Sequence, residues 1–102
     1  MHKILLIDDE PQIQKFLRIS LSSQQFEVLS AENGQKGIAM ALEQHPDLVI
    51  LDLGLPDLDG KHVLQRLIGE TRIPVVVLSV RANETEKVAC LNMGAHDYVV
   101  KP

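Results

Sequence analysis

The apolar residues of this chain come in short unbroken blocks. ILLI (4–7), LVIL (48–51) and VVVLS (75–79) carry no polar residue at alternate positions. A strand written this way has no side to offer to water, so both of its faces must be covered, the signature of a parallel sheet under helices. FEVLS (26–30) and YVV (98–100) add two further strand segments. Helical stripes fill the gaps. Ile13, Phe16, Leu17 and Leu21 share one face, behind Pro11 in a first turn. Ile38, Ala41 and Leu42 follow Asn33, a residue suited to an N-cap. Val63, Leu64, Leu67 and Ile68 make a third stripe, and Val88 with Leu91 a weaker fourth, stopped by Gly94. The order βαβαβαβαβ with such crossovers forces parallel pairing, and right-handed connections put helices on both faces. The expectation is a doubly wound α/β sheet of five parallel strands, in one domain over residues 1–102.

Composition closes off other classes. Hydrophobic residues make up 45% and charged residues 24%, a balance that rules out a disordered chain. A formal net charge of -4 argues against electrostatic binding of nucleic acid by this segment itself. No apolar run has the length of a membrane span. MHKILLIDDE turns acidic too early for a signal peptide. Cys90 is the single cysteine and cannot form an internal disulfide, which fits a cytoplasmic protein. Within a helix it reads as a buried structural residue.

Ligands of open parallel sheets bind beyond the carboxyl ends of the strands. Here those ends carry Asp8, Asp9 and Glu10 after the first strand, Asp52 after the third, Ser79 after the fourth, and Lys101-Pro102 after the fifth. Each has a bland explanation alone: a solvated loop, an acid at a helix start, a turn residue, an N-cap, a surface charge. Their convergence on one edge does not. The opposite edge, with Lys3, Asp47 and Asp97, is mixed in sign and reads as unpaired. Clustered carboxylates need a cation, and hard oxygen donors without Cys or His suit Mg²⁺ or Mn²⁺ rather than zinc. A carboxylate beside such an ion can attack phosphorus, and Lys101 and Ser79 could stabilise the transferring group. The turn at Gly54-Leu55-Pro56 can bring a backbone carbonyl to the same ion.

In their order, LLIDDEP, DLVILDLGLPDLDG, IPVVVLS and MGAHDYVVKP resemble the receiver domain of two-component response regulators over the entire chain. LDLGLPDLDG is most similar to transcriptional regulators of the potassium-uptake type. The resemblance implies a flavodoxin-like sheet of order 2-1-3-4-5, a topology known for binding at its strand tips. It also implies roles. Asp52 is the phosphoacceptor; Asp9 and Asp52 are direct Mg²⁺ ligands, joined by the Gly54 carbonyl, with Asp8 acting through water. Lys101 binds phosphate, and its bond to Pro102 is cis. Ser79 and Tyr98 form the switch, the hydroxyl moving to the phosphoryl group and the ring turning inward. The implied partner is a sensor histidine kinase, the implied output a homodimer through helix 4, strand 5 and helix 5, with DNA bound by a domain outside this chain. The implied protein is a regulatory switch rather than an enzyme. Two positions depart from the family pattern: Val80 stands where a very small residue is usual, and no fifth helix follows Pro102, so a truncated domain is expected.

Two other classes remain as alternatives, along with a degenerate receiver that no longer accepts phosphate. A phosphatase of the haloacid dehalogenase type also uses a strand-end Asp, but requires a second Asp where this chain has Gly54. A flavodoxin-like cofactor binder needs a phosphate-cradling loop after the first strand, and DDEPQ would repel an FMN phosphate. The retained acids, Ser79 and Lys101 weigh against the degenerate receiver.

Overall fold

The computed structural model describes residues 1–101. Pro102, and with it the expected cis bond, lies outside the described residues. Five strands, β1 (Lys3–Ile7), β2 (Glu27–Ala31), β3 (Leu48–Asp52), β4 (Val75–Ser79) and β5 (Asp97–Val100), form one sheet. All neighbours are parallel and the order is β2-β1-β3-β4-β5, as expected. The helices are α1 (Pro11–Ser22), α2 (Gly34–Gln44), α3 (Gly60–Glu70) and α4 (Glu84–Met93).

The unbroken apolar blocks behave as their pattern requires. Leu5, Leu6, Ile7, Val49, Leu51, Val75 and Val77 are buried, joined from the helices by Ile38, Ala41, Val63, Leu64, Leu67 and Cys90. Asn33 caps α2 by accepting a hydrogen bond from the Lys36 N–H at 2.8 Å. Gly94 ends α4 with φ at 115°, the left-handed region where a side chain would be strained. Gly60 opens α3 against β3: a Cβ there would stand 2.4 Å from the Leu53 Cα and 2.5 Å from its carbonyl oxygen. Only glycine lets α3 start this close to the residue that follows Asp52.

Two helical stripes differ from expectation. In α1, Ile13, Leu17 and Leu21 are half-buried and Phe16 is 57% exposed. With Leu78, Val99 and Val100, Ile13, Phe16 and Leu17 line an apolar groove beside the sheet edge. In α4, Val88 and Leu91 face outward, and the inner face is carried by Glu86 and Cys90. The period of α4 was therefore misleading, because the residue that turns inward is charged. At the opposite edge of the sheet Asp47 accepts the Lys3 backbone N–H at 2.7 Å and faces His2 at 3.5 Å, and Asp97 accepts the Tyr98 N–H at 2.8 Å.

Candidate functional site

The sheet delivers each tip residue to one place. Asp8 follows β1, Asp52 ends β3, Ser79 ends β4 and Lys101 follows β5. The register sets Ile7 beside Leu51, Asp52 beside Leu78, and Ser79 beside Val100. Lys101 is tied in by its N–H, which donates to the Ser79 carbonyl at 2.7 Å. A pocket at these tips is lined by Glu10, Asp52, Leu53, Gly54, Ser79, Val80, Arg81 and Lys101.

The Lys101 ammonium lies 2.5 Å from Glu10, 3.1 Å from Asp8 and 3.2 Å from Asp52. Its side chain is only 4% exposed. Burial alone would lower its pKa, but the hydrogen bonds from its ammonium to Glu10 and Asp8, with the charges of Asp52 and Asp8, raise it well above the ordinary lysine value. Asp8 is completely buried, and burial pushes its carboxyl above the usual range. The Glu10 N–H at 2.8 Å and Lys101 oppose that shift, while the Asp52 charge adds to it. Gln14 braces the Asp8 backbone from α1, its Nε2 donating to the Asp8 carbonyl at 2.8 Å and to the Ala31 carbonyl at 3.2 Å.

The donor set was tested against a divalent cation. Carboxylate oxygens of Asp8, Glu10 and Asp52 come within 4.8 Å of one another. The Asp8 Oδ2 is buried and faces the Lys101 ammonium at 3.1 Å, so the acids of the cluster meet around one positive charge. Oxygen donors alone, with a backbone carbonyl available at Gly54, fit Mg²⁺ or Mn²⁺. The membership differs in part from the sequence expectation. Asp8 and Asp52 are in the cluster; Asp9 is exposed and outside it. Glu10, read as an acid at a helix start, makes no capping hydrogen bond and instead holds Lys101.

Ser79 and Tyr98 are joined through a residue that the strand tips do not suggest. The Ser79 Oγ donates to Glu86 Oε1 at 3.0 Å and accepts the Arg81 N–H at 3.1 Å. The Tyr98 hydroxyl donates to the same Glu86 oxygen at 2.7 Å and also lies 2.8 Å from the Arg81 carbonyl. The ring is inside, 7% exposed. One sequence signal could have found Glu86: Asn83 and Glu86 stand at the spacing of a capping box.

A doubly wound parallel sheet with acids, a hydroxyl and a lysine gathered at its carboxyl edge defines the class, a flavodoxin-like α/β domain with its candidate site at the strand tips. The chain belongs to the response regulator receiver domain family, whose pattern it matches over residues 4–102. It is 49% identical over 102 residues to the transcriptional regulatory protein KdpE of Mycobacterium tuberculosis. It is 44% identical to the KDP operon transcriptional regulatory protein KdpE of Escherichia coli. Each alignment covers all of this chain and 45% of the relative, so the chain spans about half the length of the curated relatives it matches. Among solved structures, the BeF3-activated N-terminal receiver domain of Klebsiella pneumoniae RstA superposes with a TM-score of 0.92 at 28% identity, over 98% of this chain and 87% of that one. The receiver domain of the Francisella response regulator 1452 superposes with a TM-score of 0.94 at 26% identity, over 100% and 85%. No helix of the described residues is long and apolar enough to cross a membrane.

Proposed function

We propose that this domain accepts a phosphoryl group on Asp52 from a sensor histidine kinase and passes the change to an output domain of the whole protein. The observation that carries the reading is Asp52 itself: a carboxylate 4% exposed, at the rim of a core strand, with the Lys101 ammonium 3.2 Å away and an open pocket in front of it. An Asp52 oxygen attacks phosphorus as the phosphorus–nitrogen bond of the donor's phosphohistidine breaks, and the leaving imidazole nitrogen keeps the electron pair and takes up a proton. Lys101 holds charge on the phosphoryl oxygens, and the Ser79 hydroxyl donates to one of them.

Asp9, Asp52 and the Gly54 carbonyl would hold Mg²⁺ or Mn²⁺, with Asp8 contributing through water. When bound, the ion supplies positive charge that offsets the repulsion between acids and phosphoryl oxygens. The relatives named as transcriptional regulatory proteins support a transcriptional output, through DNA bound by another part of a cytoplasmic protein. Homodimerisation through the α4 and β5 face, completed by a fifth helix, belongs to the same proposal.

The test is incubation with acetyl phosphate and Mg²⁺ followed by intact mass. One phosphoryl group is expected on the native chain, none on Asp52→Ala, and none when the metal is chelated. A stable phosphoryl group on Asp52→Ala at comparable yield would overturn the assignment.

A further inference from the structure

Glu86 does not line the pocket, yet it binds both hydroxyls of the switch pair. It is the third residue of α4, after the N-cap Asn83, whose side chain accepts the Glu86 N–H at 3.0 Å. A glutamate at this position ordinarily reaches back to the N–H of its own cap. Here the side chain turns inward instead, is 8% exposed, and places Oε1 between Ser79 and Tyr98. Burial raises the Glu86 carboxyl, but hydrogen bonds from Tyr98 and Ser79, together with the charges of Arg81 and Lys61, bring it below the usual range. It is therefore held as a carboxylate, a strong acceptor.

A serine hydroxyl has one proton to donate. In this structure Glu86 has it. Ser79 cannot serve Glu86 and a phosphoryl oxygen at the same time, whereas Tyr98 keeps two acceptors within reach, Glu86 and the Arg81 carbonyl. Tyr98 is already inside while Ser79 is still bonded to Glu86. An inward ring is thus compatible with the Ser79–Glu86 bond, and the group that must change partner is Ser79.

We propose that Glu86 is a positioning residue that sets the threshold of the switch: it retains the Ser79 proton until a phosphoryl group on Asp52 competes for it, and it holds Tyr98 inside both before and after. The inference rests on the phosphoacceptor reading and adds to it the competitor that Ser79 must leave. Weakening the acceptor should make loading easier. Removing the Ser79 hydroxyl should abolish that benefit, which no general loosening of α4 would do.

The experiment titrates the chain, with Mg²⁺ present, with beryllofluoride as a phosphoryl mimic and follows binding by calorimetry. Glu86→Gln keeps shape but weakens the acceptor, and half-saturation is expected at about a tenth of the native concentration. In a Ser79→Ala background the same change should have no effect, and Ser79→Thr should restore it. Glu86→Asp, which shortens the reach, is expected to act in the same direction if Glu86→Gln folds poorly. A second readout needs no ligand. The chain has one tyrosine and no tryptophan, so its intrinsic emission reports Tyr98 alone. A phenol donating to a carboxylate is quenched, and Glu86→Gln should brighten it. Unchanged affinity in Glu86→Gln, an equal gain in Ser79→Ala, or unchanged emission would each overturn the proposal. A native chain that fails to bind beryllofluoride would overturn the phosphoacceptor reading and this inference together; native binding with a silent Glu86→Gln would overturn this inference alone.

Discussion

The ammonium of Lys101 and the carboxylate of Asp52 stand 3.2 Å apart with side chains 4% and 5% exposed, and the same ammonium reaches Asp8 at 3.1 Å. Lysine thus neutralises the acids of the tip from within the chain. Removing one member of a buried ion pair typically costs about 3–5 kcal/mol, because the charge left behind has no partner. Lys101→Ala is expected to lose about 3 kcal/mol of unfolding free energy. Millimolar Mg²⁺ should return a larger share of stability to this variant than to the native chain, since the ion would take over the neutralising role. Urea unfolding with and without the ion measures both effects. A variant as stable as the native chain in the absence of Mg²⁺ would show that Lys101 is not the internal counter-ion.

Asp8 acts on stability with the opposite sign. Its carboxyl is raised above the model-peptide value of 3.8 by burial and the Asp52 charge. A raised folded-state pKa means that the ionised form is disfavoured on folding. Below the unfolded value the protonated carboxyl imposes no such cost, and as pH rises through the raised folded value the cost is incurred in full. Asp8→Asn should therefore be more stable than the native chain at pH 7, with the advantage shrinking as pH falls towards the unfolded carboxylate value. Unfolding free energies at a series of pH values give the curve. An advantage that grows on acidification would contradict the sign.

The fold was legible because three apolar blocks left no freedom in how they could be buried. The parallel sheet and its shared edge followed from that, and with them the meeting of Asp8, Asp52 and Lys101, whereas the strand order came from the family resemblance. Side-chain direction was not legible. Asp8, Asp9 and Glu10 are consecutive, and the sequence alone did not reveal which of them turns to the site. Backbone geometry sends Asp8 in and Asp9 out, while the length of Glu10 lets it reach Lys101 from a half-exposed position. Glu86 escaped for a similar reason. An acid in the first turn of α4 has an ordinary explanation in the helix dipole, and only its inward rotamer reveals two hydroxyl partners.

Those consecutive acids allow metal ligation and charge pairing to be told apart by experiment. Asp9 has no ion-pair partner among the described residues, so its carboxylate is available; Glu10 is already engaged by Lys101. Asp9→Asn is expected to weaken Mg²⁺ binding about tenfold, the loss typical of a favourable charged contact. Glu10→Gln is expected to change it by no more than about twofold, as an exposed charge at the rim is screened by solvent. Calorimetric titration with Mg²⁺ compares the two. Should Glu10→Gln prove the weaker binder, the cluster of Asp8, Glu10 and Asp52 would itself be the ligand set.

Val80 is expected to set how long a phosphoryl group on Asp52 lasts. It is 70% exposed and lines the pocket with Asp52, Gly54, Ser79 and Lys101, so burial against the helix does not explain it. A β-branched side chain is stiff at χ1, and its methyl groups stay where the backbone puts them. Placed at the rim, they narrow the approach of water to phosphorus, which needs an in-line path opposite the Asp52 oxygen. Val80→Ala removes both methyl groups without touching any hydrogen bond or charge, and should leave stability within about 0.5 kcal/mol. Loss of phosphate from the aspartyl phosphate is expected to accelerate about threefold to tenfold, equivalent to roughly 1 kcal/mol of barrier. Single-turnover decay after removal of the donor measures it directly. An unchanged decay rate, with phosphorylation intact, would show that water reaches phosphorus by a path Val80 does not obstruct.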